Sequence, residues 1–315
     1  FQTGVTGKLA EAHGIKAKLA AWAQGAIRAG VVARNEGGSP SALVAARAAL
    51  ADRLVGAKVR DALGLGAARL VVSGAAPISP DVLEFFAGFG FSIMEVYGQS
   101  EGSGPTTFNY PGRTRFGTVG PPWPGTDVEV ADDGEILVRG GNVFMGYYQN
   151  PEATRETLHD GWLMSGDLGQ KDADGYLTIT GRKKDIIVTA GGKNIAPKNL
   201  EAGLKDHLLI GEAVVIGDRR RFLTALVCLD PEAAAAWADE REISGPLHTD
   251  PAVHAEVEAA VALVNDRHAR VGQIKKFTIL PRELTIEDGE LTGTLKVKRE
   301  VVAEHFSAEI ESMYV

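Results

Sequence analysis

The run Glu95-Val96-Tyr97-Gly98-Gln99-Ser100-Glu101 puts an aromatic ring, a hydroxyl and a carboxylate on one short turn. Such a ring can stack on a flat heterocycle, and such a hydroxyl can bond a phosphate. The carboxylate suits Mg2+, which prefers one or two carboxylates plus phosphate oxygens to a full protein cage. Taken alone, the run also reads as an ordinary loop. Upstream, the small side chains of Ser73-Gly74-Ala75-Ala76-Pro77 let backbone approach a flat ligand closely. Downstream come Gly134-Glu135-Ile136, Trp162-Leu163-Met164-Ser165-Gly166-Asp167-Leu168, Gly181-Arg182-Lys183-Lys184-Asp185 and Leu291-Thr292-Gly293-Thr294-Leu295-Lys296. Asp167 ends a strand-like stretch, where a carboxylate could accept hydrogen bonds from both hydroxyls of a sugar; an exposed turn aspartate is the other reading. Lys296 offers a compact ammonium able to follow and neutralise developing negative charge. Lys298 and Arg299 stand close by, so charge alone does not single it out.

A parallel α/β layer is expected to position the first two of these segments. Residues 69–74 read as a buried strand entering a glycine turn, Pro80 to Phe89 as a helix and Ser92 to Val96 as a second strand. Strand, helix, strand in that order suggests parallel pairing, with ligands at the carboxyl ends of the strands. Before them, Leu9, Ile15, Leu19, Trp22 and Ile27 recur at near-helical spacing, as do Leu43, Ala46, Leu50 and Leu54. Residues 35–40 separate these helices as a Gly/Ser/Pro loop. From Gly117 to Thr180, short strands alternate with the turns Asp133-Gly134, Asp160-Gly161 and Asp174-Gly175, predicting a small antiparallel barrel or sheet. A charged break at 181–185 leads into an α+β region. Its last helix is expected from Lys298 to Met313, with Val302, Phe306, Ile310 and Met313 on one face. The expected fold class is α/β: residues 1–181 as the remainder of a large domain, with a parallel layer plus a small antiparallel β-barrel, and residues 182–315 as a small α+β domain.

A chain of 315 residues, 44% hydrophobic, can bury a sizeable core in one large or two ordinary domains. Its net charge of -8 argues against nucleic acid as a partner. The single cysteine, Cys228, lies in the apolar run Thr224 to Leu229, which excludes an internal disulfide or a cysteine metal cage and fits a reducing cytoplasm. Histidines are scattered without metal-ligand spacing, so no zinc site is implied. No Gly-x-Ser-x-Gly elbow supports a hydrolase. No apolar run approaches the roughly 20 residues that span a bilayer, and no secretory signal opens the chain, so any membrane contact is expected to be peripheral. The start at Phe1 suggests a piece of something longer. Oligomeric state is not legible.

In their order, these motifs resemble the adenylate-forming enzymes, and within them the bacterial long-chain fatty acyl-CoA synthetases. The most specific piece is Ile186-Ile187-Val188-Thr189-Ala190-Gly191-Gly192-Lys193-Asn194-Ile195-Ala196-Pro197. The resemblance implies that Gly74, Ala75, Ala76 and Pro77 form one wall of an adenine pocket. Tyr97 would stack on the other face, with Gly98 beside it. Ser100 would contact the α-phosphate and Glu101 would ligate Mg2+. Asp167 would bind the ribose and Arg182 the same sugar or its phosphate. Gly191 and Gly192 would line a pantetheine channel, and Lys296 would be a mobile catalytic lysine. Lys184 would be the hinge of a mobile C-terminal lid; as a residue it reads equally as a solvated linker lysine, since a hinge needs only backbone freedom. The family often has Pro where Gly293 stands.

These synthetases also carry a Ser/Thr/Gly-rich loop ending in Pro-Lys-Gly, which has no match here. Thr3-Gly4-Val5-Thr6-Gly7-Lys8 lacks that ending and is expected to be a decoy. The resemblance therefore covers only the C-terminal half of the family. It implies activation of a long-chain fatty acid with ATP and Mg2+ through an acyl-adenylate to an acyl-CoA thioester. A different acid or acceptor, such as an aromatic acid or a carrier protein, is an alternative. So is a non-catalytic nucleotide-binding fragment.

Overall fold

The computed structural model describes residues 2–10 and 13–315. They fall into two compact units, one ending at Lys183 and the other running Lys184–Val315.

The first unit opens with helices α1 (Gln2–Ala10), α2 (Ile15–Asn35), α3 (Ala42–Ala51) and α4 (Ala57–Ala62). The run Thr3 to Lys8 lies inside α1, so its backbone forms a helix rather than a loop after a strand. Ser41 caps α3, its hydroxyl accepting from the Val44 amide. Of the residues whose spacing predicts α2 and α3, Ile27 is buried but most of the others are not. Ile15 is 86% exposed, Leu43 69% and Leu50 54%, whereas Ala23, Ile27, Gly30 and Val31 of α2 and Ala48 and Ala51 of α3 are buried. The helices meet through small residues: a Cβ on Gly30 would lie 2.9 Å from that of Ala48. So close an approach leaves no room for leucine at the contact.

Next come β1 (Val71–Ser73), α5 (Pro80–Ala87), β2 (Ile93–Gln99) and β3 (Gly104–Phe108). Ser79 caps α5, and Pro80 pre-sets its first turn. β1 and β2 are parallel, as expected, in register Val71↔Ile93 to Ser73↔Glu95, and β3 joins β2 antiparallel. β1 is not the buried strand expected: Leu70 and Val72 are 60% and 49% exposed. Among the described residues it pairs along one edge only, with β2.

The antiparallel part contains β4 (Thr126–Val130), β5 (Glu135–Gly140), the helix α6 (Pro151–Thr157), β6 (Leu158–His159), β7 (Trp162–Lys171) and β8 (Leu177–Arg182). The three Asp-Gly turns join β4 to β5, β6 to β7 and β7 to β8. The strands run β4-β5-β7-β6, with β8 also on β7. This is an open sheet and not the expected closed barrel. Closure requires the outer strands to pair with each other, and among the described residues β4 pairs only with β5 and β8 only with β7.

The second unit holds a small ladder of β9 (Ile187–Val188) and β10 (Asn194–Ile195), then α7 (Pro197–Lys205), β11 (Ile210–Ile216), β12 (Leu223–Leu229), α8 (Pro231–Asp239), α9 (Pro251–Asn265), β13 (Ile274–Ile279), α10 (Arg299–His305) and α11 (Ser307–Ser312). β12 lies between antiparallel β11 and parallel β13, and Leu223 to Cys228 are all buried. Such a continuous apolar run is what a strand covered on both faces requires. One cluster joins Leu223, Ala225 and Val227 to α7 and α9; the other joins Leu226 and Cys228 to Val302, Phe306, Ile310 and Met313. The last helix is thus two. At Phe306 (φ -107°, ψ 31°) the backbone leaves the helical basin, yet the four predicted residues all remain buried. Among the described residues, no helix is long and apolar enough to cross a membrane.

Candidate active site

In the first unit, Asp167 on β7 and Arg182 on β8 are cross-strand partners, which sets their side chains on one face. Arg182 Nε donates to Asp167 Oδ1 at 2.7 Å, and the Tyr97 hydroxyl donates to Oδ2 at 2.9 Å. The Asp167 amide donates to Ser165 Oγ at 3.1 Å, fixing the backbone beneath a buried carboxylate. Burial, reinforced by the Asp167 charge, pushes the Tyr97 phenol far above its ordinary range, so it remains a donor. Its ring packs with Val128, Ile136, Val138, Leu163 and Leu177. Three residues distant in sequence are thereby joined into one polar surface.

Because β1 and β2 are parallel with Ser73 opposite Glu95, the segments beyond their carboxyl ends leave on the same side. Gly74 to Pro77 are exposed there, and Ala75 holds a left-handed φ of 68°. Gly98 cannot be another residue: a Cβ would fall 2.0 Å from the Gly104 carbonyl oxygen. A short 3-10 turn, Ser100–Gly102, follows, and Ser103 is also left-handed, at φ 53°. Non-glycine residues persist in that region only where their surroundings over-determine them. Segment 74–77 presents backbone and small side chains, which leave room for a planar ligand to approach closely.

Glu101 is held from a third direction. Its Oε1 accepts from Tyr147 at 2.7 Å, its backbone oxygen from the Phe144 amide at 2.8 Å, and the Gly102 oxygen from Asn142 Nδ2 at 3.0 Å. Among the described residues no three metal-ligating side chains cluster. One carboxylate beside a hydroxyl-bearing turn is a donor set that could hold Mg2+, an ion that takes its remaining ligands from phosphates and water. Sequence reasoning missed Tyr147. It stands beside Tyr148 in a loop, and nothing in the local pattern marks which tyrosine reaches Glu101; Tyr148 is 90% exposed.

Lys183 donates to Asp133 and Glu135, both at 2.7 Å, and the bond to Asp133 above all raises its pKa. Glu135 also accepts from the Gly166 amide at 2.9 Å. The residue before the unit boundary is therefore pinned, while Lys184 is exposed in the turn Lys183–Asp185. In the second unit, Gly191 and Gly192 are exposed between β9 and β10, in a turn closed by the Gly192 amide on the Thr189 oxygen. The amides of Ala190 and Arg219 bond the oxygens of Arg220 and Val188, tying this segment to the β11–β12 turn. Lys296 is exposed on a hairpin with Leu291 and Val297 paired at its base. The Thr292 amide bonds the Lys296 oxygen at 2.8 Å, the Lys296 amide bonds Thr292 Oγ1 at 3.0 Å, and Leu295 is left-handed at φ 59°.

Residues 37–148 match the AMP-binding enzyme family, and residues 184–315 match the AMP-binding enzyme C-terminal domain. The chain belongs to the AMP-binding enzyme family. It is 50% identical over 282 residues to the long-chain-fatty-acid–CoA ligase FadD15 of Mycobacterium bovis, covering 88% of this chain and 47% of that one. It is 41% identical over 309 residues to the putative fatty-acid–CoA ligase fadD11 of Mycobacterium tuberculosis, covering 96% and 54%. The adenylation domain of a carboxylate reductase from Mycobacterium chelonae superposes with a TM-score of 0.65 at 22% identity, over 94% of this chain and 45% of that one, a likeness of fold alone. The chain spans about half the length of the curated relatives it matches. In this AMP-binding enzyme, Tyr97, Ser100, Glu101 and Tyr147 fall in the first matched segment and Lys184, Gly191, Gly192 and Lys296 in the second, with Asp167 and Arg182 between them.

Proposed function

We propose that this chain is the C-terminal half of a long-chain fatty acid–CoA ligase, contributing the nucleotide-binding surface and a mobile lid. The observation that carries this is the Tyr97–Asp167–Arg182 network beside the exposed segment 74–77, on a chain 50% identical to a named long-chain-fatty-acid–CoA ligase. Gly74 to Pro77 and Tyr97 bracket the adenine of ATP. Asp167 accepts from the ribose hydroxyls, with Arg182 neutralising its charge and reaching toward the sugar or its phosphate. Ser100 donates to the α-phosphate. Glu101, oriented by Tyr147, holds Mg2+, which neutralises phosphate charge when bound. Lys296 stabilises the charge that develops as the fatty carboxylate attacks the α-phosphorus and pyrophosphate leaves. The lid, residues 184–315, then turns about Lys184, withdraws Lys296 and brings Gly191 and Gly192 to the pantetheine of CoA. The thiol attacks the acyl carbonyl and AMP departs. A cytoplasmic setting with peripheral membrane contact fits, because ATP and CoA are cytosolic, the fatty acid is membrane-borne, and the only cysteine is an unpaired, buried thiol.

Mass spectrometry of reactions with MgATP, CoA and palmitate tests this, using the chain alone and a form extended to the relatives' full length. The extended form is expected to give palmitoyl-AMP and palmitoyl-CoA, with adenylate formation falling by about 100-fold or more in Lys296→Ala, as for loss of a charge-stabilising group. An extended form that yields neither product, or that loads a carrier protein and not CoA, overturns it.

A further inference from the structure

The hairpin that carries Lys296 is anchored by an ion network around one buried carboxylate, for which the proposed mechanism has no role. Glu290, one residue before the hairpin, is fully buried. Arg282 grips its carboxylate with both arms, Nη1 to Oε2 at 2.8 Å and Nη2 to Oε1 at 2.7 Å. The Thr285 amide donates to Oε2 at 3.0 Å, and His305 Nδ1, from α10, lies 3.0 Å from Oε1. The backbone of Glu290 is committed as well, its amide bonding the Thr285 oxygen at 3.1 Å and its own oxygen accepting from the Lys298 amide at 2.7 Å. The opposite arm of the hairpin is fixed by Arg299, which pairs with Glu201 and donates to the Val215 oxygen at 3.1 Å.

Burying a carboxylate is costly unless it is fully paired, and an apolar residue of similar size would hold a turn to a core more cheaply. The flanking Leu284 and Leu291 already pack with Val302 and Phe306, so apolar burial anchors both ends without Glu290. What the bidentate pair adds is direction: two parallel charged hydrogen bonds fix orientation as well as position. Beyond the pair stands only a short exposed loop whose last two residues are the left-handed Leu295 and Lys296.

We infer that Glu290, held by Arg282, Thr285 and His305, is a positioning residue that sets the approach of the Lys296 ammonium in adenylate formation. The inference rests on the assignment of Lys296 made above. Only one half-reaction uses that lysine, so the effect of Glu290 belongs to that half-reaction. A purely structural role would weaken both.

Glu290→Gln and Arg282→Lys are compared with wild type in the form extended to the relatives' length. Pyrophosphate exchange driven by palmitate reads the first half-reaction, and CoA-dependent consumption of supplied palmitoyl-AMP reads the second. Both variants are expected to slow exchange by about 10- to 100-fold, the scale of a misplacement of about 1 Å, with thioester formation within about twofold of wild type. In the 315-residue chain, hydrogen exchange at the Thr292, Leu295 and Lys298 amides should speed up in both variants. Arg282→Lys keeps the charge and removes the fork, so it decides the matter if Glu290→Gln does not fold. Equal losses in both half-reactions, or unchanged pyrophosphate exchange, overturn the inference. Lys296→Ala separates the two claims: if it leaves exchange intact, the lysine assignment fails and the inference with it. If Lys296→Ala abolishes exchange while the network variants do not slow it, the network alone fails.

Discussion

Glu95 illustrates how a single side chain beside the site carries an energetic signature. It is buried on β2, two residues before Tyr97, with Oε2 accepting from the Gly117 amide at 3.0 Å. Burial is the dominant influence and raises its pKa from 4.5 to about 7. A folded pKa above the unfolded one means that the native state holds the proton more tightly. The stabilisation is therefore complete below about pH 4.5 and is lost as pH rises through about 7. Glu95→Gln removes the titration and keeps an acceptor for Gly117. In thermal melts its stability relative to wild type should rise between pH 5 and pH 8 by on the order of 1–3 kcal/mol. A difference that is flat with pH would mean that Glu95 is solvated. Tyr97, Asp167 and Arg182 are legible as candidates because each stands in a short local motif, and the structure joins the three by hydrogen bonds. Tyr147 and Glu290 are not legible, because their importance comes from partners 46 and 8 residues away, Glu101 and Arg282.

At the scale of elements, periodicity located the helices and strands but did not identify the residues through which the first helices meet. Leu43 and Leu50 recur as a helix requires, yet both are exposed, and the α2–α3 contact is made by Gly30 and Ala48. Hydrophobic spacing reports where apolar side chains lie around a helix; how closely two backbones approach depends on where side chains are missing. In the 315-residue chain, Gly30→Val should cost about 1–3 kcal/mol by overpacking, while Leu50→Ser should change stability by less than about 0.5 kcal/mol. Denaturant melts giving the reverse order would return the leucines to the interface. The open antiparallel sheet has a similar origin. The Asp-Gly turns specify each hairpin, but closure depends on pairing between strands that no turn connects.

Across the whole molecule, each unit has its own core: among the described residues, three clusters lie within residues 5–179 and two within residues 187–314. The break between the compact units falls between pinned Lys183 and exposed Lys184, two residues beyond the boundary expected at 181/182. The candidate residues divide the same way. Tyr97, Ser100, Glu101, Asp167 and Arg182 belong to the first unit, and Gly191, Gly192 and Lys296 to the second. The proposed function therefore asks nucleotide binding of the first unit alone, and catalysis of residues from both. The most direct test is isothermal titration of AMP into the 315-residue chain and its Asp167→Asn variant. Saturable binding by the wild type, weakened at least about tenfold when the carboxylate that accepts from Tyr97 and Arg182 is neutralised, is the predicted result. No binding by the wild type, or equal affinity in the two proteins, would contradict the assignment of this surface to a nucleotide.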